Sequence, residues 1–355
     1  MKKYLLPVLL VAVFLGVIIY STNKVESPKN VIRFGAVISQ SSYAAEDGEE
    51  VKSGLELAKS DLAKEGIDVS IEYYDDSTDP KKVATGIQYM RSKNINVIFG
   101  PIWSFLADAA VGVAKDSDVT LLGPSMTSEL LSSPSNKMLF GQIKNEHKRV
   151  PLEEWMKANN IKKPAILISQ NNWGVNHTDI FTRATKNVGG TVVMSDALGF
   201  GQEAESLPAL ILKAKMSGAD AILWAGSNDG EVIFVREMSK LGMNIPLFTD
   251  EEVLTAVRKN MISVNSPIKI YTWERPVSKE FAEKYKAYYG KLPSHYADSS
   301  YDMMMVTARA INSSNGENLK DAINSLSYTG STGLYTLDEK GDRVGGSWHV
   351  IQVTK

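Results

Sequence analysis

The residues best suited to chemistry in this sequence stand where short apolar runs end. After N-V-I-F-G comes P-I-W-S, with Ser104 opening an amphipathic segment, and after V-T-L-L-G comes P-S-M-T-S-E, offering Ser125, Thr127 and Ser128. Any one of these hydroxyls can be a plain helix cap that accepts from an orphan N–H. Two Gly-Pro turns with hydroxyls at successive run ends together make a cradle for a carboxylate. Further along, apolar runs end in Trp173 with Gly174, in Ser227 with Asn228 and Asp229, and in Asp250 with Glu251 and Glu252. Glu252 reads as a helix-start acid that complements the macrodipole, whereas Glu251 is a candidate for meeting an ammonium group across a cleft. Trp173, Trp273 and Tyr43 are candidate aromatic walls, set against the commoner role of such rings in core packing.

The stretch D-D-S-T-D-P-K-K-V-A, Asp75 to Ala84, gathers three carboxylates and raises the question of a metal. Local physics favours punctuation. Asp79 can accept from an orphan N–H, and Pro80, which lacks that N–H, suits the first helical position. Val83, Ile87 and Met90 then form one apolar stripe. Neighbouring segments offer no further ligands at metal spacing, so no metal and no cofactor is expected.

Enzyme signatures are missing: there is no G-x-S-x-G, no G-x-x-x-x-G-K-[ST] and no H-E-x-x-H. His147, His177, His295 and His349 are scattered along the chain and read as surface or satisfied structural histidines. With a net charge of −2 and both signs interspersed, nothing suggests nucleic acid as a partner. The absence of Cys removes disulfides and thiolate chemistry. Binding rather than turnover is the expectation.

Met1-Lys2-Lys3 precedes an apolar segment at residues 4–20, which as a helix spans roughly 26 Å at about 1.5 Å per residue. Small residues at a cleavage site are hard to find, so residues 1–27 read as an uncleaved membrane anchor and linker. Secretion after cleavage is the alternative. Lys2 and Lys3 place the remainder outside the cytoplasm.

From Val31 short apolar runs alternate with amphipathic segments. Strands are predicted at 31–38, 69–74, 96–100 and 119–123, with helices at 51–65, 80–93 and 104–116. The rhythm restarts with strands at 164–169, 191–195, 219–225, 246–249 and 267–273, and helices at 148–159, 174–187, 204–217 and 229–241. Continuously apolar strands separated by helices imply parallel sheets covered on both faces. The tail reads as helices at 278–290, 295–312 and 317–325, then runs at 333–338 and 347–353 around D-E-K-G-D-R, a hairpin signal.

The acidic pair followed by Asp-Pro, with F-G-P-I-W-S, G-P-S-M-T-S-E-L, Trp173-Gly174 and L-D-E-K-G-D-R-V-G, resembles the leucine/isoleucine/valine-binding type of extracytoplasmic substrate-binding protein of ABC transporters. The resemblance runs from about Val31 to Val353. It implies an α/β fold of two Rossmann-like, doubly wound lobes joined by a three-segment hinge: 30–146 plus 275–328, and 147–274 plus 329–355. It implies that Ser104 and Thr127 bind a carboxylate, that Ser125 supplies backbone contacts, that Glu251 takes the α-ammonium, and that Tyr43 and Trp173 enclose the side chain.

Three departures stand out. The positions of the family's frequent first-lobe disulfide correspond to Thr78 and Trp103, the Tyr43–Gly54 loop is one residue longer, and Ser227 and Asn228 replace a pocket aromatic. The implied function is capture of an amino acid or similar small zwitterion and delivery to an ABC permease. The alternatives are a receptor for signalling, or an amide, urea or aromatic acid as ligand.

Overall fold

The computed structural model describes residues 31–354 other than 116, 200, 227, 264–266 and 315–317. The expected membrane segment lies outside the described residues, and among them no helix is long and apolar enough to cross a membrane.

Two sheets organise the chain. The first contains β1 (Ile32–Ile38), β2 (Val69–Asp75), β3 (Val97–Phe99), β4 (Thr120–Gly123) and β5 (Met138–Phe140) in the order 2-1-3-4-5, all parallel. Its helices are α1 (Ala45–Lys64), α2 (Pro80–Ser92) and α3 (Ala107–Ala114). The alternation of β1 assigns its side chains to two cores. Phe34, Ala36 and Ile38 join α1 residues such as Leu55 and Leu62 on one face, and Val37 joins Val83, Ile87 and Met90 of α2 on the other.

The second sheet repeats the plan. It holds β6 (Pro164–Ser169), β7 (Met194–Leu198), β8 (Ala221–Ala225), β9 (Leu247–Thr249) and β10 (Ile270–Glu274), parallel and in the order 10-9-8-6-7. Its helices are α4 (Arg149–Ala158), α5 (Asn172–Asn187), α6 (Glu203–Met216), α7 (Asn228–Lys240) and α8 (Val253–Arg258). Beyond β10 come α9 (Lys279–Tyr289), α10 (His295–Ser313) and α11 (Leu319–Ser325), whose buried residues Tyr285, Met304 and Ile323 pack into the first sheet's core.

Several boundaries move. α1 begins at Ala45 rather than 51, because Gly48 brings that turn against the end of β1: a Cβ there would sit 1.6 Å from the Ser39 carbonyl oxygen. β5 and α8 are short elements that periodicity did not reveal, and β7 falls three residues later than expected.

The predicted C-terminal hairpin does not form as such. Residues 336–344 close a tight turn of their own, with Val344 N donating to Thr336 O at 2.9 Å and Asp338 N to Asp342 O at 2.9 Å. This turn lies on the first sheet, where Phe140 N donates to Gly341 O at 3.0 Å and the Tyr335 hydroxyl to Phe140 O at 3.1 Å. The last strand, β13 (His349–Gln352), instead pairs antiparallel with β10, anchored by buried Trp348 and Val353. β11 (Thr329–Gly330) and β12 (Gly333–Leu334) pair with each other. The final crossing between the sheets therefore follows Arg343, not residue 328. Arg343 is fully buried and donates through Nη1 to Gly141 O at 3.0 Å, which ties the first and last crossings together.

The acidic stretch at 75–79 performs its punctuation with additional reach. Asp79 accepts from Lys81 N at 2.8 Å and starts α2. Asp75 accepts from Gln40 N at 2.8 Å and from the Ser41 hydroxyl at 2.5 Å, while Asp76 accepts from Ser39 Oγ at 2.5 Å. Thr78 Oγ1 accepts from Ala44 N at 3.1 Å. The stretch thus fixes the 39–44 loop and the first turn of α1, both of which reach the cleft.

Candidate ligand-binding site

In open parallel sheets the crevice beyond the strand carboxyl ends is where ligands bind. Here both sheets end on one cavity of about 290 Å³. The first sheet contributes Tyr43 after β1, Trp103 and Ser104 after β3, and Ser125 and Thr127 after β4. From the second come Ser169 and Trp173 around the start of α5, Gly226 after β8, and Asp250, Glu251 and Glu252 after β9. Gln142 from the first crossing, His295 and Tyr296 from the first turn of α10, and Glu46 and Asp47 from the first turn of α1 also line it.

Six of the eight residues expected from sequence, Tyr43, Ser104, Ser125, Thr127, Trp173 and Glu251, line this one cavity. Ser227 lies outside the described residues, and Asn228 is the first residue of α7. Trp273 is corrected from wall to core: it is fully buried, stacked on Phe181 and edge-on to Phe248. The hydroxyl wall is well held. Ser125 Oγ donates to Ile102 O at 2.5 Å, and Asn172 Nδ2 reaches across the cleft to Ser104 O at 3.0 Å.

The opposite wall is acidic. Glu251 does not stand open: Lys148 Nζ lies 2.8 Å from its Oε2. Burial alone would raise its pKa, but the Lys148 charge, the nearby His295 and the hydrogen bond bring it down to about 2. Asp250 is pushed up to about 7 by burial and by the Glu251 charge, against the pull of Lys148. Glu252 is raised well above the usual carboxylate range by burial and by the charges of Asp47 and Asp250. Burial also raises Asp47 to about 7, against hydrogen bonds from Tyr296 and Trp103, the latter donating from Nε1 to Oδ2 at 3.0 Å.

His295 Nε2 lies 3.3 Å from Glu252 Oε1, but burial lowers the His295 pKa to about 4. Burial thus works against the charged form of both members, which weakens the contact as an ion pair. Glu252, read from sequence as a helix-start acid, and His295, read as a surface or structural histidine, both line the cavity, whereas Asp47, Tyr296 and Gln142 escaped the sequence reading. Asp47 sat ahead of the expected start of α1, and His295 and Tyr296 come from a tail helix that only the tertiary fold returns to the cleft. Among the described residues no group of His, Asp and Glu has the arrangement of a metal site.

Two sheets of like order that share one polar crevice define a bilobal fold for binding small molecules. The chain belongs to the periplasmic binding protein family, whose profile matches residues 31–355. The leucine-, isoleucine-, valine-, threonine- and alanine-binding protein of Pseudomonas aeruginosa is 21% identical over 279 residues, which is 76% of this chain and 74% of that one. A branched-chain amino acid transporter substrate-binding protein from Streptococcus pneumoniae, solved with isoleucine, has a TM-score of 0.77 at 20% identity and covers 91% of this chain and 100% of its own. An ABC-transporter solute-binding protein from R. palustris, solved with benzoate, has a TM-score of 0.79 at 18% identity and covers 92% of this chain and 94% of its own. These relatives are named for binding, not for turnover.

Proposed function

We propose that the chain is an extracytoplasmic solute-binding protein that captures an amino acid or similar small zwitterion between two closing lobes and delivers it to an ABC permease. The observation that carries this reading is the polarity of the shared cavity, lined by Ser104 and Thr127 from the first lobe and by Asp250, Glu251 and Glu252 from the second. A carboxylate at the hydroxyl wall and an ammonium at the acidic wall touch different lobes, so their binding energy favours closure. Tyr43 and Trp173 enclose the remainder of the ligand, with Ser125 ordering the backbone of the hydroxyl wall. Because Glu251 is engaged by Lys148, Asp250 takes the α-ammonium on this reading.

The lobes on this reading are 32–143 with 275–343, and 147–274 with 348–354, and residues 4–20 anchor the chain to the membrane. A carboxylate-only ligand such as benzoate would bring no donor to the carboxyl groups of the second wall, which favours the zwitterion. Thermal-shift titration against the twenty amino acids, urea, short amides and benzoate tests the reading, since a ligand of the native state raises Tm by mass action. Shifts with amino acids support it; shifts with benzoate or an amide alone overturn the ligand class.

A further inference from the structure

The cavity carries more acid than one zwitterion can neutralise. Glu46, Asp47, Asp250, Glu251 and Glu252 all line it, against Lys259 and His295. Lys148 answers Glu251 and Lys259 answers Glu46. Among the described residues, Asp47, Asp250 and Glu252 form no ion pair with a lysine or arginine. One α-ammonium at Asp250 leaves Asp47 and Glu252, which come from opposite lobes.

The surroundings of that pair are those of a cation site. Tyr296 approaches both carboxyl groups, and the Trp103 indole N–H, already donating to Asp47, lies 3.1 Å from the Tyr296 hydroxyl oxygen. Trp103 packs against Tyr43 at 5.8 Å between ring centroids and against Phe105 at 5.8 Å, and all three rings line the cavity. Aromatic faces beside carboxylates attract ammonium and guanidinium groups.

A second observation is independent of the acids. Gln142 is fully buried and lines the cavity, yet its Oε1 has no hydrogen-bond partner. Its Nε2 is spent on His295 O at 3.1 Å, which places the orphan acceptor next to the histidine that touches Glu252. Glu252 Oε1 is likewise buried with no hydrogen bond. Buried acceptors left unpaired carry the full cost of their desolvation until a donor arrives.

We propose that this end of the cleft is a second cation subsite and that the ligand is a basic amino acid, its side-chain cation seated between Asp47 and Glu252 against the Trp103 ring. The proposal rests on the zwitterion reading for the α-groups and adds the identity of the side chain. A leucine side chain here would bury two carboxyl groups against hydrocarbon and leave Gln142 Oε1 unpaired. A guanidinium or ammonium supplies the donors for all three.

Isothermal titration of the full chain tests this with L-arginine, L-lysine and L-ornithine, with L-leucine as the uncharged comparison, and with agmatine and cadaverine as cations without a carboxylate. The expected result is binding of at least one basic amino acid about tenfold or more tighter than leucine, as charge-assisted hydrogen bonds would give. In Asp47→Asn and in Glu252→Gln, each checked for folding by near-UV circular dichroism, that preference should fall by about tenfold. Leucine bound as tightly as every basic amino acid overturns the proposal, as does a preference that survives in both variants. Binding of agmatine or cadaverine without any amino acid keeps the subsite and removes the zwitterion reading. Binding of neutral amino acids alone does the reverse, and silence from every cationic probe rejects the subsite.

Discussion

Lys148 Nζ lies 2.8 Å from Glu251 Oε2 beneath the floor of the cleft, with the lysine side chain 1% exposed and the glutamate 12%. The ammonium also lies 4.5 Å from the centre of the Trp348 ring, and the Lys148 carbonyl accepts from Trp273 Nε1 at 3.0 Å. The pair therefore joins the first crossing between lobes to β10, to the C-terminal strand and to the wall of the site at once.

Removing the lysine should expose what the pair does. Lys148→Met leaves Glu251 buried without its counter-charge, and such losses cost about 3–5 kcal/mol. The double variant Lys148→Met, Glu251→Gln should recover much of that stability, because no charge is then left unpaired. Urea unfolding followed by circular dichroism reads both, and an unchanged midpoint in the single variant contradicts the pairing. The sign with pH follows from a folded pKa held low: the contribution is full above the unfolded value and is lost as pH falls from about 5 toward 2.

Asp47 and Asp250 titrate in the opposite sense. Both have pKa values raised to about 7, so the folded protein holds more protons than the unfolded chain between about pH 4 and 7. Their contribution to the stability of the free protein is full below the unfolded value and declines as pH rises through 7. The groups around them are Glu46, Glu50, Glu251, Glu252, Lys148 and Tyr296. A cationic ligand makes these acids ionise, so its affinity should rise between about pH 5.5 and 8, with protons released on binding. Titration in two buffers of different ionisation enthalpy measures the release; an affinity flat over that range shows that the ligand does not neutralise the acids.

The pattern of strands and the place of the site were largely written in the sequence, because continuously apolar runs between amphipathic segments have few other solutions. Ser104, Ser125 and Thr127 could be placed at the cavity because strand ends in a parallel sheet open on the crevice. Asp47 could not, since the polar run around Gly48 shows no apolar period, and only the close approach of Gly48 to Ser39 makes it the first turn of α1. Lys148 and Glu251 are 103 residues apart, and nothing local marks either as the other's partner. The C-terminal runs read as a hairpin because pairing between neighbours is the commonest outcome, whereas burial of Trp348 and Val353 draws the last strand to β10.

Gly174 sets how closely α5 approaches the end of β6. A Cβ there would lie 2.0 Å from the Ser169 carbonyl oxygen, a backbone atom that no rotamer change can move aside. Gly174→Ala should therefore push α5 outward, displace Trp173 and Asn172 from the cleft, and destabilise by about 1–3 kcal/mol as overpacked sites do. The variant's Tm and its ligand affinity should fall together. A normal Tm would mean that the turn yields, contrary to the packing seen here.

The cross-cleft hydrogen bond from Asn172 to Ser104 O separates closure from recognition. Asn172 sits in the first turn of α5 on the second lobe, and its donor ends on the backbone of the first. Asn172→Ala should take about 1 kcal/mol from the closed arrangement, the net worth of an ordinary hydrogen bond. Affinity falls by the fraction of closed protein lost, roughly fivefold. Because the bond joins lobe to lobe, the loss should be the same factor for every ligand, whereas Asp47→Asn should change the ranking among ligands. Titration of one basic and one neutral amino acid against both variants distinguishes the two effects. X-ray scattering of the free Asn172→Ala protein should show a larger radius of gyration than the parent; a reordering of ligand preference would instead mean that Asn172 touches the ligand itself.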